Sequence, residues 1–180
     1  HYSIPELNNI KQGNVKLASP ILISNPGCYA TAMQLAIAPL KDLLSGFVHC
    51  FGISGYSGAG TTPSPNNDPQ NLKNNIIGYK LIEHLHEKEV SEKLDYPVSF
   101  SPHVAEFFRG INITIQLEFV KPQNQDIIFN RLNDFYAMHE LVNCQKSIPT
   151  IQQVINTPHC IIGGLEVSKE DLKYVRIITR

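Results

Sequence analysis

Residues 24–31 read Ser-Asn-Pro-Gly-Cys-Tyr-Ala-Thr. Cys28 follows a Pro-Gly pair and opens an apolar run, 28–44, in which Ala32, Leu35, Ala36, Pro39, Leu40 and Leu43 recur close to helical spacing. Asn25 is placed to cap that helix, and Pro26 suits its first turn. Cys28 then falls where unpaired N–H groups and the positive end of the helix dipole favour a thiolate. Gly27 permits a turn, and a close approach of backbone to substrate, that a side chain would resist. The competing reading is a small packed thiol, because free cysteines are among the most buried residues.

Three further stretches carry chemical residue types. Ser-Gly-Tyr-Ser-Gly-Ala-Gly at 54–60 follows a strand-like run and reads either as an anion-cradling nest of N–H groups or as a plain glycine-rich turn. It is neither a GxGxxG fingerprint nor a phosphate loop ending in Gly-Lys-Ser/Thr, and no dinucleotide fingerprint occurs elsewhere. His-Leu-His-Glu-Lys-Glu at 84–89 has ligand-like spacing. On a helix, however, His84 and His86 point about 200° apart, and HExxH is absent because position 90 is valine, so no metal is expected. A solvated helix start or an acid/base partner for Cys28 remains. In Ser-Pro-His-Val-Ala-Glu-Phe-Phe-Arg-Gly-Ile at 101–111, His103 and Arg109 flank an aromatic pair. Arg109 suits a carboxylate or phosphate, or a surface loop. A thiol, a histidine, a nest and an arginine together fit acyl transfer with an anionic leaving group.

The elements that must position these residues are legible in outline. The run 15–25 is apolar enough for a buried strand, and 47–55 is a strand running into glycines. A turn leads into a helix over 79–94. Strands are expected over 98–104 and 110–120, the second alternating Ile111, Ile113, Ile115, Leu117 and Phe119 on one face. An amphipathic helix covers 126–139, followed by strands at 161–167 and 174–180. Pro39 is expected to kink or end the first helix early. The pattern predicts an α+β fold with a mixed, largely antiparallel sheet and helices on one face.

The 180 residues are 42% hydrophobic and 17% charged, which suits one domain with its own core, spanning 1–180. A net charge of −1 gives no global attraction to nucleic acid or an anionic membrane, and no run suits a membrane span or a signal peptide. The four cysteines are far apart and form no CxxC pair, which argues for reduced thiols in an intracellular protein.

The segments 24–40, 54–69, 78–90 and 102–111, in this order, resemble the signatures of N-acetyl-γ-glutamyl-phosphate reductase, and Tyr-Ser-Ile-Pro-Glu-Leu-Asn at 2–8 resembles that family's Tyr-Gly-Leu-Pro-Glu-Leu segment. The resemblance covers nearly the whole chain. It implies a catalytic domain similar to that of glyceraldehyde-3-phosphate and aspartate-semialdehyde dehydrogenases, with an N-terminal Rossmann domain for NADP and a C-terminal helix lying outside this chain. It implies that Cys28 attacks an acyl phosphate and forms a thioacyl intermediate, with His84 as acid/base and His103 as the second choice for the catalytic histidine. Tyr79, His86, Glu89 and Arg109 are expected around the substrate, and Ser57 and Gly58 near the nicotinamide. It further implies a homo-oligomer joined through the sheet, in the bacterial cytoplasm or, for a fungal-type source, the mitochondrial matrix. By itself this domain is expected to lack reductase turnover. Cys28 and His84 alone would also suit a cysteine hydrolase or acyltransferase that needs no cofactor, and a buried, unreactive Cys28 would suit a non-catalytic interaction module.

Overall fold

The computed structural model describes residues 2–7 and 24–180. Its elements are helix α1 (Cys28–Ile37), strand β1 (Leu44–Gly55), the short helix α2 (Pro69–Leu72), β2 (Ile76–Gly78), α3 (Leu85–Leu94), β3 (Val98–Ala105), β4 (Ile111–Phe119), α4 (Gln125–Tyr136), β5 (Val142–Gln145), the short α5 (Ile151–Val154), β6 (Cys160–Val167) and β7 (Tyr174–Thr179). One seven-stranded sheet runs in the order β2-β3-β1-β4-β7-β6-β5. Pairs β1/β3 and β5/β6 are parallel and the others antiparallel. This is the mixed, largely antiparallel sheet that the sequence pattern predicts. Most of the strand expected over 15–25 lies outside the described residues.

Helices α1, α3 and α4 pack on one face of the sheet. The alternation in β4 explains why: Ile113, Ile115, Leu117 and Phe119 are at most 1% exposed and fill that face. The same parity puts Val48 and Cys50 of β1, and Val98 and Phe100 of β3, in this core. Phe47, His49 and Phe51 of β1 point the other way and are exposed.

Helix α1 departs from the amphipathic pattern. Eight of its residues are buried, including Gln34, so it runs through the core rather than along its surface. It stops at Ile37, and Ala38–Leu43 continue as a tighter 3-10 turn around Pro39. Proline lacks the N–H for another α-turn, as its position in the sequence suggests. The connection from β1 to the parallel β3 passes through α2, β2 and α3. It thereby brings the start of α3 alongside the start of α1.

Candidate active site

Cys28 is the first residue of α1. The cap position belongs to Gly27, with φ −63° and ψ 155°, and not to Asn25 as the sequence suggests. Backbone and side-chain partners explain the difference. The Gly27 carbonyl accepts the Thr31 N–H at 2.8 Å and the Thr31 hydroxyl at 3.0 Å, while its N–H donates to Glu89 Oε1 at 3.1 Å. The helix therefore begins after Gly27, and Cys28 keeps its place in the first turn.

The histidine pair also differs from the helical expectation. His84 lies outside α3 as its cap residue, its Nδ1 accepting the His86 N–H at 3.1 Å. The two rings are therefore not splayed about the helix axis but meet edge-on, with centroids 4.9 Å apart. A Cβ built on Gly27 would lie 2.1 Å from His86 Nε2, so only glycine lets this imidazole rest against the turn that carries the thiol. His86 Nδ1 is buried and has no hydrogen-bond partner among the described residues. His84 packs edge-on against Tyr79 and Phe100, and Tyr29 against Phe100. These rings wall one side of the thiol.

On the other side Cys28 opens onto a cleft of about 730 Å³ shared with Ser54, Ser57, Gly58, Arg109 and His159. Ser57 and Gly58 sit in a 3-10 turn, Tyr56–Ala59. An anion nest at 55–57 does not form. The N–H groups of Gly55, Tyr56 and Ser57 are taken by the carbonyls of Gly110, Phe107 and Phe108 at 2.9, 3.1 and 2.9 Å. Gly55 is needed for this docking, because a Cβ there would lie 2.6 Å from the Phe108 carbonyl oxygen. Arg109 Nη1 donates to Asn156 Oδ1 at 3.0 Å, which holds the guanidinium at the cleft wall.

Electrostatics in this recess favour neutral forms. Cys28 is reachable by solvent, yet the surrounding protein desolvates it enough to push its pKa up. The Glu89 carboxylate adds to the rise, and the N–H groups of Tyr29 and Cys28 oppose it. Burial lowers the pKa of His84, helped by His86 and Lys80 and opposed by Glu87. Burial also lowers that of His86, with Glu89 opposing. Tyr79 is pushed up by burial and by the nearby thiol. The resting site thus pairs a thiol with neutral imidazoles able to accept its proton.

The profile of the semialdehyde dehydrogenase dimerisation-domain family matches residues 28–179. The chain belongs to this family. A relative named N-acetyl-gamma-glutamyl-phosphate reductase, from Xanthomonas campestris pv. campestris (strain B100), is 43% identical over 99% of this chain and 55% of its own length. The Candida albicans relative named "Protein ARG5,6, mitochondrial" is 43% identical over 99% of this chain and 20% of its own length. The chain thus spans about half the length of its bacterial relatives. Among solved structures, a probable aspartate-semialdehyde dehydrogenase from Pseudomonas aeruginosa superposes with a TM-score of 0.73 at 12% identity, covering 99% of this chain and 61% of its own. Aspartate semialdehyde dehydrogenase II from Vibrio cholerae, complexed with ASA, gives 0.69 at 14% identity, covering 87% and 55%. These likenesses establish a semialdehyde dehydrogenase dimerisation-domain fold.

Of the residues singled out in the sequence, this family member's fold gathers Cys28, Tyr79, His84, His86 and Glu89 around the start of α1, and sets Ser57, Gly58 and Arg109 across the cleft. His103 is elsewhere: its ring packs tilted against Phe51, centroids 4.5 Å apart, on the sheet face away from the helices. Its carbonyl alone reaches toward the site, accepting the Tyr29 hydroxyl at 2.8 Å. The sequence gives no notice of Asn156 or His159 in the cleft, and marks Ser54 only as the start of the 54–60 stretch. Ser54 could have been found from its alternation in β1, whereas Asn156 and His159 lie in a loop with no periodic signal.

Proposed function

We propose that the protein containing this chain reduces N-acetyl-γ-glutamyl phosphate to N-acetylglutamate 5-semialdehyde in arginine biosynthesis, and that this chain supplies the acylating half of the reaction. The observation that carries this reading is the Cys28 thiol at the start of α1 with the His86 imidazole against the preceding glycine. The bacterial relative bearing that name, at 43% identity, supports it.

In the first step Cys28 Sγ bonds to the γ-acyl carbon, the carbon–oxygen bond to phosphate breaks, and phosphate leaves. The thiol proton passes to an imidazole. For this step we take His86, whose Nε2 edge lies against the Cys28 turn, in place of the His84 that the resemblance implies. His84 accepts at Nδ1, so its neutral ring carries a proton on Nε2. That N–H can stabilise the acyl oxygen as negative charge develops there. Arg109, held by Asn156, would meet a carboxylate or the phosphate of the substrate. Tyr79 and Glu89 line and brace the same recess.

NADP suits the cleft. Ser57 and Gly58 form its small-residue wall beside the thiol, and a Cβ on Gly58 would meet only Ser54 Oγ at 3.8 Å and Cβ at 3.9 Å. When bound in reduced form, the cofactor supplies the hydride for the second half of the reaction. Most of its binding surface would come from a Rossmann domain outside this chain, so the isolated chain is expected to lack reductase turnover. Assembly is through the sheet into a homo-oligomer. We favour a bacterial cytoplasmic setting, with the mitochondrial matrix as the fungal alternative. Among the described residues no helix is long and apolar enough to cross a membrane.

The test is phosphate release by the full-length protein given the acyl phosphate without NADPH. One equivalent of phosphate per Cys28 is expected, followed by NADPH oxidation once the cofactor is added. Cys28→Ala should remove both, lowering turnover ~10³-fold or more. Reductase activity that survives in Cys28→Ala would defeat the reading. Continuous phosphate release without NADPH would mark a hydrolase instead.

A further inference from the structure

The segment Tyr2–Leu7 does more than pack. Ile4 is 4% exposed and joins the core, anchoring residues 2–7. Tyr2, beside it, forms a parallel bridge with Ser24, just upstream of the cysteine turn. Its hydroxyl donates to Glu89 Oε1 at 2.6 Å and accepts from Gln34 Nε2 at 2.6 Å. Gln34 is 3% exposed in α1 and also donates to the Ala30 carbonyl at 3.1 Å, so its amide is fixed. Lys93 Nζ lies 4.5 Å from the Tyr2 ring centroid, tying the other end of α3 to the same side chain.

The shared atom is Glu89 Oε1. It accepts both the Tyr2 hydroxyl and the Gly27 N–H. Glu89 stands three residues after His86, one turn along the same helix and on the same side. Gly27 is thereby held twice from α3: at its N–H by Glu89, and at its Cα by the His86 ring. A free carboxylate on a helix surface samples several rotamers. This one is held by a phenol that is itself held by Gln34. Burial, with the bond to Glu89, raises the Tyr2 pKa to about 12, so the hydroxyl stays protonated and remains a donor across the physiological range.

We propose that Tyr2 is a positioning residue for the nucleophile: it fixes Glu89 so that the carboxylate holds the Gly27 N–H and sets the turn presenting Cys28. This rests on Cys28 being the nucleophile. Tyr2 does not line the cleft at Cys28 and acts on the turn through Glu89.

The test uses the full-length protein with Tyr2→Phe, which removes one hydroxyl and keeps the ring. A hydrogen bond to a charged group carries enough free energy for a roughly tenfold loss of kcat, with KM for the acyl phosphate within about twofold. In a Glu89→Gln background, Tyr2→Phe should cost no more than about twofold further, because the two side chains form one unit. Gln34→Leu, which loosens the phenol without touching its ring, should lower kcat in the same KM-insensitive way by about threefold. Alkylation of Cys28 by iodoacetamide should slow at least about threefold in Tyr2→Phe, because Glu89 loses the donor that offsets its charge beside the thiol. An unchanged kcat and alkylation rate would overturn the proposal, whatever the melting temperature does. Losses that multiply between Tyr2→Phe and Glu89→Gln would overturn it too, as would a Tyr2→Phe protein that no longer folds while Gln34→Leu keeps full kcat. The alkylation readout needs no substrate, so failure of the reductase reading would be seen separately, in a Cys28→Ala protein that still turns over.

Discussion

At the scale of single residues, the site is organised around the missing side chain of Gly27. Its dihedral angles are ordinary extended values, so glycine is not required there for conformation. It is required for space, with His86 Nε2 where a methyl would go. Gly27→Ala should therefore displace the imidazole or the cysteine turn. A shift of about 1 Å at a catalytic group can cost around 10²-fold in rate, and that is the loss expected in kcat for the full-length protein. Trimming the ring should relieve the clash. The thermal destabilisation by Gly27→Ala is expected to vanish in a His86→Ala background, as melting of the four proteins of the cycle would show. Equal destabilisation in both backgrounds would mean that the contact is not what excludes the methyl. The Pro-Gly before Cys28 was readable as a marker of close approach, but what approaches was not. The ring comes from another helix, and local sequence holds no record of it. The first part of the stretch 54–60 is closed to an anion for the same reason: the N–H groups of Gly55, Tyr56 and Ser57 are taken by carbonyls of the 107–110 loop, a tertiary partner invisible to spacing.

At the scale of elements, long periodic segments were legible and short ones were not. Strand β4 and helix α4 carry enough repeats to declare themselves, and Asn124 caps α4 by accepting the Asp126 N–H. β2, β5 and α5 span three or four residues each and exist because longer neighbours pair with or pack on them. The turn and helix expected over 79–94 are found, with α3 beginning at Leu85, but its cap was hidden because histidine is not a usual cap residue. That cap has a measurable consequence. His84 and His86 both titrate below the ordinary imidazole value in the folded state, chiefly through burial. The unfolded chain, with imidazoles near the usual value of about 6.5, takes up protons first as the pH falls. Stability is therefore complete above that value and declines as the pH drops through it toward the folded values. Urea midpoints should fall between about pH 7.5 and about pH 5, and the fall should be smaller in a His84→Gln, His86→Gln protein. An identical decline in that variant would place the acid sensitivity elsewhere.

At the scale of the whole molecule, the fold is asymmetric. One face of the sheet is covered by α1, α3 and α4. The other presents Phe47 at 61% and Phe51 at 43% exposure, with Tyr174 at 45%. Along β1 these alternate with the buried Val48 and Cys50, so the exposed rings follow from the strand's two-residue period rather than from a disordered surface. A sheet face with large apolar side chains and no helices is the kind of surface that assembly covers. The family profile that the chain matches is that of a dimerisation domain. Phe51 is the informative position, because its cross-strand neighbours are the small polar residues Ser101 and Thr114. A charge there has room to reach solvent in a single subunit. Between two packed sheets it would be cut off from water with only the His103 imidazole beside it, at a cost of several kcal/mol. Phe51→Glu should accordingly leave the circular dichroism spectrum of the full-length protein unchanged while shifting its sedimentation toward a lighter species. A variant that sediments with the wild-type mass would rule out this face as the assembly surface and direct attention to the exposed Leu81, Ile82 and Leu85 beside the histidine cap.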